Sequence, residues 1–250
     1  MPRLELHVIS LRYSSWSIRA LLPLLHAGAD FSLQTVDLEL ARQGDPLPEM
    51  EDDAFVAAQE KQLAKRRVLG SVRGLFPVLW VDETPIHEAL AINEWTAEQH
   101  PETRLWPEEG LARARARALS CEMASGFSNL RGKMSCHVSA RVPRFEPDGP
   151  TRVEIARVHE LMRDSVQRSG GPFLFGAFGI VDAMYYPVLT RFTTYGVPLP
   201  TDLYAYAQAM EEQPAVAQWR RLAAEAPQIE AYDDYVRAMG GEILASGWAQ

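Results

Sequence analysis

The chain has 250 residues, 47% of them hydrophobic, and carries a net charge of −8. That suffices for one large domain or two small ones, and an acidic chain of pI about 5.3 argues against a duplex-binding surface, which needs clustered Lys and Arg to neutralise phosphates. Two cysteines, Cys121 and Cys136, are too few for a disulfide framework, no signal pattern or membrane-length apolar run is present, and a reduced cytoplasmic setting is expected.

The first element is a short apolar strand over 4–9. A helix over 17–27 follows, with Leu21, Leu22, Leu24 and Leu25 making a broad apolar face. Pro23 inside it implies a kink, and Gly28 is a natural stop. The junction reads Tyr13-Ser14-Ser15-Trp16-Ser17-Ile18-Arg19. Three serines crowd the start of a helix, where backbone N–H groups lack partners and the dipole is positive. Such a terminus stabilises an anion. A hydroxyl aimed there can also donate to a bound thiolate and lower the pKa of a thiol, ordinarily about 8.5. The alternative is that one serine merely caps the helix. Ser14 and Ser17 stand at the Cys-x-x-Cys spacing without the cysteines, so any thiol chemistry needs a ligand's thiol.

A second strand over 31–38 comes next, then a loop with Gly-Asp-Pro punctuation over 43–48 and a helix over 51–69 rich in Ala, Gln, Lys and Leu. Gly74-Leu75-Phe76-Pro77-Val78-Leu79-Trp80-Val81-Asp82 reads as a strand opened by proline. A proline at such a bend can be cis. Thr84-Pro85-Ile86 is a short strand, and a helix begins near Glu88-Ala89. The stretch 100–107, bounded by His100-Pro101 and Trp106-Pro107, is the best linker. Beyond it the pattern is helical: one long helix or a bent pair over 111–134, then 151–168, 181–195, 202–212 and 215–225. Thr151 and Glu154 match a capping box. Arg113, Arg115 and Arg117 spread around a helix axis and read as a solvated face. There is no metal-ligand cluster, nucleotide-binding glycine pattern or nucleophile elbow.

In order and spacing these motifs resemble the glutathione transferase family over about residues 4–225. The serine run is similar to that of zeta-class and related bacterial serine-type members. The runs Cys121-Glu122-Met123-Ala124-Ser125-Gly126-Phe127 and Gly171-Pro172-Phe173-Leu174-Phe175-Gly176 look like bacterial members too. The resemblance implies an α/β plus all-α fold. A thioredoxin-like glutathione-binding domain would span 1–99 and an all-α domain with the electrophile pocket 108–250, joined by 100–107. It implies an enzyme that conjugates glutathione, its co-substrate, to a small electrophile, or isomerises one by reversible thiol addition. The alternative is a non-catalytic relative that keeps the fold and has lost strong glutathione binding. A homodimer is expected, with no nucleic acid, membrane or metal.

By the same resemblance Ser14 is the thiolate donor, with Ser15 next and Tyr13 third. Trp16 walls the site, and the backbone at Phe76 and cis Pro77 holds the cysteine part of glutathione. Glu88 and Ala89 hold the γ-glutamyl end. Family members usually carry Ser where Ala89 stands and Lys before the proline loop, where Leu75 and Phe76 stand. Arg19 either serves the site or pairs with a carboxylate of its own domain. Asp182, in Gly179-Ile180-Val181-Asp182-Ala183, resembles the family's buried capping motif and is structural. Met123, Phe127 and Met134 are the expected pocket side chains.

Overall fold

The computed structural model describes residues 2–36 and 75–244, and between them positions 53, 54, 56, 57, 60, 64, 67, 70 and 71. The expected loop over 43–48 lies outside the described residues. The helix expected over 51–69 is helical at those of its positions that are described.

Four strands form one mixed sheet. β1 (Leu4–Val8) lies parallel to β2 (Ser32–Thr35) and antiparallel to β3 (Val78–Val81), which pairs with β4 (Thr84–His87) in the order β2-β1-β3-β4. Leu4, Leu6 and Val8 alternate inward along β1, which fixes the register Leu6↔Leu33 and Leu6↔Leu79. α1 (Ser15–His26) and α2 (Ala89–Gln99) pack on each other and on this sheet. On α1, Ile18, Leu21, Leu22 and Leu24 are fully buried. At about 1.5–3 kcal/mol for each apolar side chain, this face is the main gross stabilisation of the helix. Pro23 has no N–H to give the carbonyl of Arg19. The Asn93 side-chain amide of α2 donates to that carbonyl instead, at 3.2 Å, so the proline position becomes a helix–helix contact.

A single-turn 3-10 helix (Pro101–Thr103) leads into the helical half. The stretch 111–134 is a bent pair, α3 (Gly110–Ser125) and α4 (Ser128–Lys133), broken at Gly126 and at Phe127, whose φ is 57°. α5 (Gly149–Ser169) is capped by Asp148, whose Oδ1 accepts from the Thr151 N–H at 2.9 Å. The expected Thr151–Glu154 capping box is therefore not formed. Glu154 instead crosses to α4, where its oxygens accept from the backbone N–H of Asn129 (3.3 Å) and Leu130 (2.7 Å), uncapped donors of that helix's start.

α6 (Ile180–Tyr195) runs through the middle, with fourteen of its sixteen residues buried. Asp182 caps it: Oδ2 accepts from Gly179 N–H at 2.9 Å, and Oδ1 accepts from Leu174 N–H at 3.0 Å. Gly179 is required by a close approach, because a Cβ there would stand 2.6 Å from the carbonyl oxygen of Leu105. α7 (Tyr204–Glu212), α8 (Pro214–Glu225) and α9 (Glu230–Ala238) follow, and β5 (Ala140–Arg141) pairs with β6 (Glu242–Ile243). The strands β5 and β6 and helix α9 lie outside the elements expected from the sequence. Among the described residues no helix is long and apolar enough to cross a membrane.

Candidate functional site at the end of the first strand

Strand register brings the sequence-predicted residues together. β1 ends at Val8 and leads into the serine junction. His7 pairs with Val78, so Phe76 and Pro77 enter the sheet beside that end. Val78 pairs with His87, so Glu88 and the start of α2 lie beside the proline. Ser14, the Phe76–Pro77 loop and Glu88-Ala89 therefore share one edge of the sheet.

The Phe76–Pro77 peptide bond is cis. The Phe76 side chain packs with Val36, Val78, Ile9 and Trp80, all of the first half of the chain. Glu88 has φ 75° and ψ 125°, a conformation that L residues rarely adopt and that costs about 1–3 kcal/mol. Its side chain does not cap the start of α2. Ala89 is fully enclosed in the core and carries no hydroxyl to offer a ligand.

Ser14 is the N-cap of α1. Its Oγ accepts from the Ser17 N–H at 3.2 Å and from the Ser17 hydroxyl at 2.8 Å. With both acceptor sites used, the remaining capacity of this half-buried hydroxyl is to donate its own proton. Ser15 is differently placed. It is buried, and its Oγ accepts from two guanidinium groups, Nη1 of Arg19 at 3.4 Å and Nη2 of Arg191 at 3.3 Å.

Tyr13 commits its hydroxyl to the helical half. Its hydroxyl donates to Asp233 Oδ1 at 2.9 Å and accepts from Ile229 N–H at 3.2 Å, and its ring stacks on Tyr232. Burial pushes its pKa up to about 12; the Ile229 N–H opposes this, and Asp233 adds to the rise. His137 also meets Asp233 Oδ1, at 2.9 Å, in the same buried cluster. Burial outweighs this bond and lowers the His137 pKa. Three further bonds pin the loop before Ser14: Trp219 Nε1 to the Leu11 carbonyl (3.2 Å), Arg12 Nη2 to the Ala224 carbonyl (2.6 Å) and Val138 N–H to the Arg12 carbonyl (3.3 Å). The helical half thus fixes the conformation of the serine junction.

Arg19 makes no ion pair among the described residues, contrary to one of its two expected roles. It is fully buried, its Nε donates to the Met184 carbonyl at 2.9 Å, and its Nη2 has no partner among the described residues. Burial first, then Arg191 and Arg131, drive its pKa well below the ordinary value. Trp16 lies between two cations. Arg19 Cζ is 4.6 Å and Arg131 Cζ 4.9 Å from its ring centroid. Met123, Phe127 and Met134, expected to line the electrophile pocket, are buried in the core. The sequence reading missed Arg131, Arg191, His137 and Asp233. Arg191 alone carried a signal, as a charge inside the otherwise apolar α6.

The family model "Glutathione S-transferase, C-terminal domain" matches residues 154–232. A curated relative, a probable maleylacetoacetate isomerase of Caenorhabditis elegans, is 33% identical over 116 residues. That alignment takes in 46% of this chain and only 44% of the relative's length. Among solved structures, a glutathione transferase homologue from Burkholderia gl BGR1 with bound glutathione superposes with TM-score 0.63 at 21% identity, covering 88% of this chain and 98% of that one. A maleylacetoacetate isomerase from Anaeromyxobacter dehalogenans gives TM-score 0.61 at 24% identity, covering 92% and 96%. The fold is that of these structures, a thioredoxin-like sheet followed by a helical half, and residues 154–232 of that half match the glutathione transferase C-terminal domain.

Proposed function

We propose that this chain is a glutathione-dependent enzyme that uses the thiolate of glutathione as a nucleophile toward a small electrophile. The observation that carries this reading is Ser14: both acceptor sites of its oxygen are taken by Ser17, so its proton is what it can give, at the positive end of α1. The thiol proton leaves to solvent, and the thiolate accepts the Ser14 hydrogen bond. Its electron pair then forms a C–S bond at the electrophilic carbon. In conjugation a leaving group departs with its bonding pair, or the displaced π electrons take up a proton. In isomerisation the same addition turns a double bond into a single bond, rotation follows, and the C–S bond breaks to restore the double bond and the thiolate. The similarity to a probable maleylacetoacetate isomerase supports the isomerase form.

In this reading residues 1–99 form the glutathione-binding domain, 100–107 the linker and 108–250 the helical domain. Trp16 walls the site. The backbone at Phe76 and Pro77 takes the cysteine part of the ligand, and Glu88 and Ala89, at the start of α2, take its γ-glutamyl end. Ser15 acts from behind Ser14. A homodimer in a reducing cytoplasm belongs to the same proposal, supported by the family and by the free thiols Cys121 and Cys136. The test is calorimetry with glutathione, followed by a pH titration of the thiolate absorbance of the complex. Binding with a thiol pKa below that of free glutathione is expected. Absence of binding overturns the reading.

A further inference from the structure

Two cations lie behind the serine junction without a counter-ion. Arg19 is fully buried and Arg191 is 4% exposed. Arg191 donates to the carbonyls of Met134 (Nε, 2.7 Å) and Pro187 (Nη1, 3.1 Å) and to Ser15. Arg19 donates to the Met184 carbonyl and to Ser15. Buried guanidinium groups are ordinarily paired, because removing a charge from water costs several kcal/mol. The titratable groups around this pair are the Cys136 thiol, the hydroxyls of Tyr185 and Tyr195, and the half-buried Arg131. Burial pushes the Cys136 thiol up, so it stays neutral. Burial likewise raises both tyrosines. The neighbouring carboxylates are committed elsewhere: Glu154 caps α4, and Glu122 holds Arg157 at 2.9 Å. Asp233 serves Tyr13 and His137. No carboxylate among the described residues neutralises Arg19 or Arg191, and both converge on the hydroxyl adjacent to Ser14.

We propose that Arg19 and Arg191, bridged by the Ser15 hydroxyl, are positioning residues that supply the fixed positive charge favouring an ionised thiol at Ser14. The inference rests on the glutathione reading above and deepens it by naming the source of the field. An anion at Ser14 is the counter-ion the pair lacks. The protein holds the two charges rigidly through backbone carbonyls, so they need no reorganisation when the thiol ionises. Ser15 is thereby a link between charge and site, and it does not itself touch the sulfur.

The test is the thiolate titration of bound glutathione in wild type, Arg191→Met, Arg191→Lys and Arg19→Met, with the affinity for S-methylglutathione measured alongside. That thioether has no proton to lose. An opposite charge within about 4–6 Å moves a pKa by one to three units, and a charge held behind the neighbouring residue of the chain falls at the low end. Arg191→Met should therefore raise the thiol pKa by about one unit, a roughly tenfold loss of thiolate below the pKa. Its affinity for S-methylglutathione should stay within about twofold of wild type. Arg191→Lys, which keeps the charge, should recover most of the shift. Arg19→Met gives an independent measurement if Arg191→Met does not fold by circular dichroism. An unchanged thiol pKa in a folded Met variant overturns the inference. So does an equal loss of S-methylglutathione affinity, which marks a purely structural role. A lowered wild-type pKa that the Arg variants leave unchanged overturns this inference alone, a wild-type protein that binds glutathione at the pKa of the free thiol overturns the Ser14 donor role with it, and failure of wild type to bind glutathione overturns the parent reading as a whole.

Discussion

Ser14→Ala separates a helix cap from a thiolate donor, because the two roles are read by different instruments. As a cap, Ser14 accepts from the Ser17 N–H. Losing an N-cap side chain costs about 1 kcal/mol. The substitution also strips the fully buried Ser17 hydroxyl of its acceptor, at 2.8 Å in the wild type. An orphaned buried donor costs about 1–3 kcal/mol, and the low end applies here because Ser14 is half-buried and water can reach the vacated place. The sum is about 2 kcal/mol, a fall in Tm of about 4–8 °C for a chain of this size. As a donor to the thiolate, the same hydroxyl makes a bond to a charged group worth about 1.5–3 kcal/mol, or about one to two units in the pKa of bound glutathione. Thermal unfolding followed by circular dichroism reads the first effect, and thiolate absorbance of the saturated complex against pH reads the second. Ser14→Thr, which retains both the cap and the hydroxyl, should leave the pKa near wild type. A Ser14→Ala protein that loses the expected Tm and shows an unchanged thiol pKa would refute the donor role and leave Ser14 as a cap only.

Tyr13→Phe removes the bond to Asp233 and leaves the Ile229 N–H unpaired, so Tm should fall by about 2–8 °C while the thiol pKa stays fixed; a raised pKa would return Tyr13 to the site. Glu88→Gly relieves a positive φ of 75°, so unfolding should occur about 2–4 °C higher while calorimetry reports weaker glutathione binding; unchanged affinity would show that the strained residue does not serve the ligand. Asp182 is pushed up to about 7, chiefly by burial, against the backbone N–H groups it accepts from. A folded pKa above the unfolded value of about 3.9 contributes stability that is full below pH 4 and is lost as pH rises through 7. The stability of wild type relative to Asp182→Asn should therefore decline between pH 4 and pH 7 in denaturant titrations, and a flat difference across that range would contradict the buried assignment.

The sequence by itself determined most of the elements and their order, though not β5, β6 or α9. Period-two burial in β1, the apolar face of α1, the proline-opened β3 and the apolar α6 are local patterns, and local patterns survive without coordinates. It also marked Ser14, Phe76, Pro77 and Glu88, because serines at a helix start and a proline at a strand start are punctuation that neighbours in the chain explain. It placed Asp182 correctly as a cap for the same reason.

What it missed lies at long range. Glu154 sits three residues after Thr151 as a capping box requires, but the start of α4 offers it two free N–H groups, and Asp148 takes the cap one turn earlier. Met123, Phe127 and Met134 have the chemistry of a pocket lining, and only packing shows that they fill the core. Tyr13 and Ser15 were candidates for the thiolate by proximity in sequence. Tertiary structure gives their hydroxyls partners that Ser14 does not share, since Asp233 is 220 residues from Tyr13 and Arg191 is 176 residues from Ser15. A hydroxyl's role depends on which lone pairs and protons its neighbours have already taken. Those neighbours come from other elements, so no spacing rule along the chain encodes them.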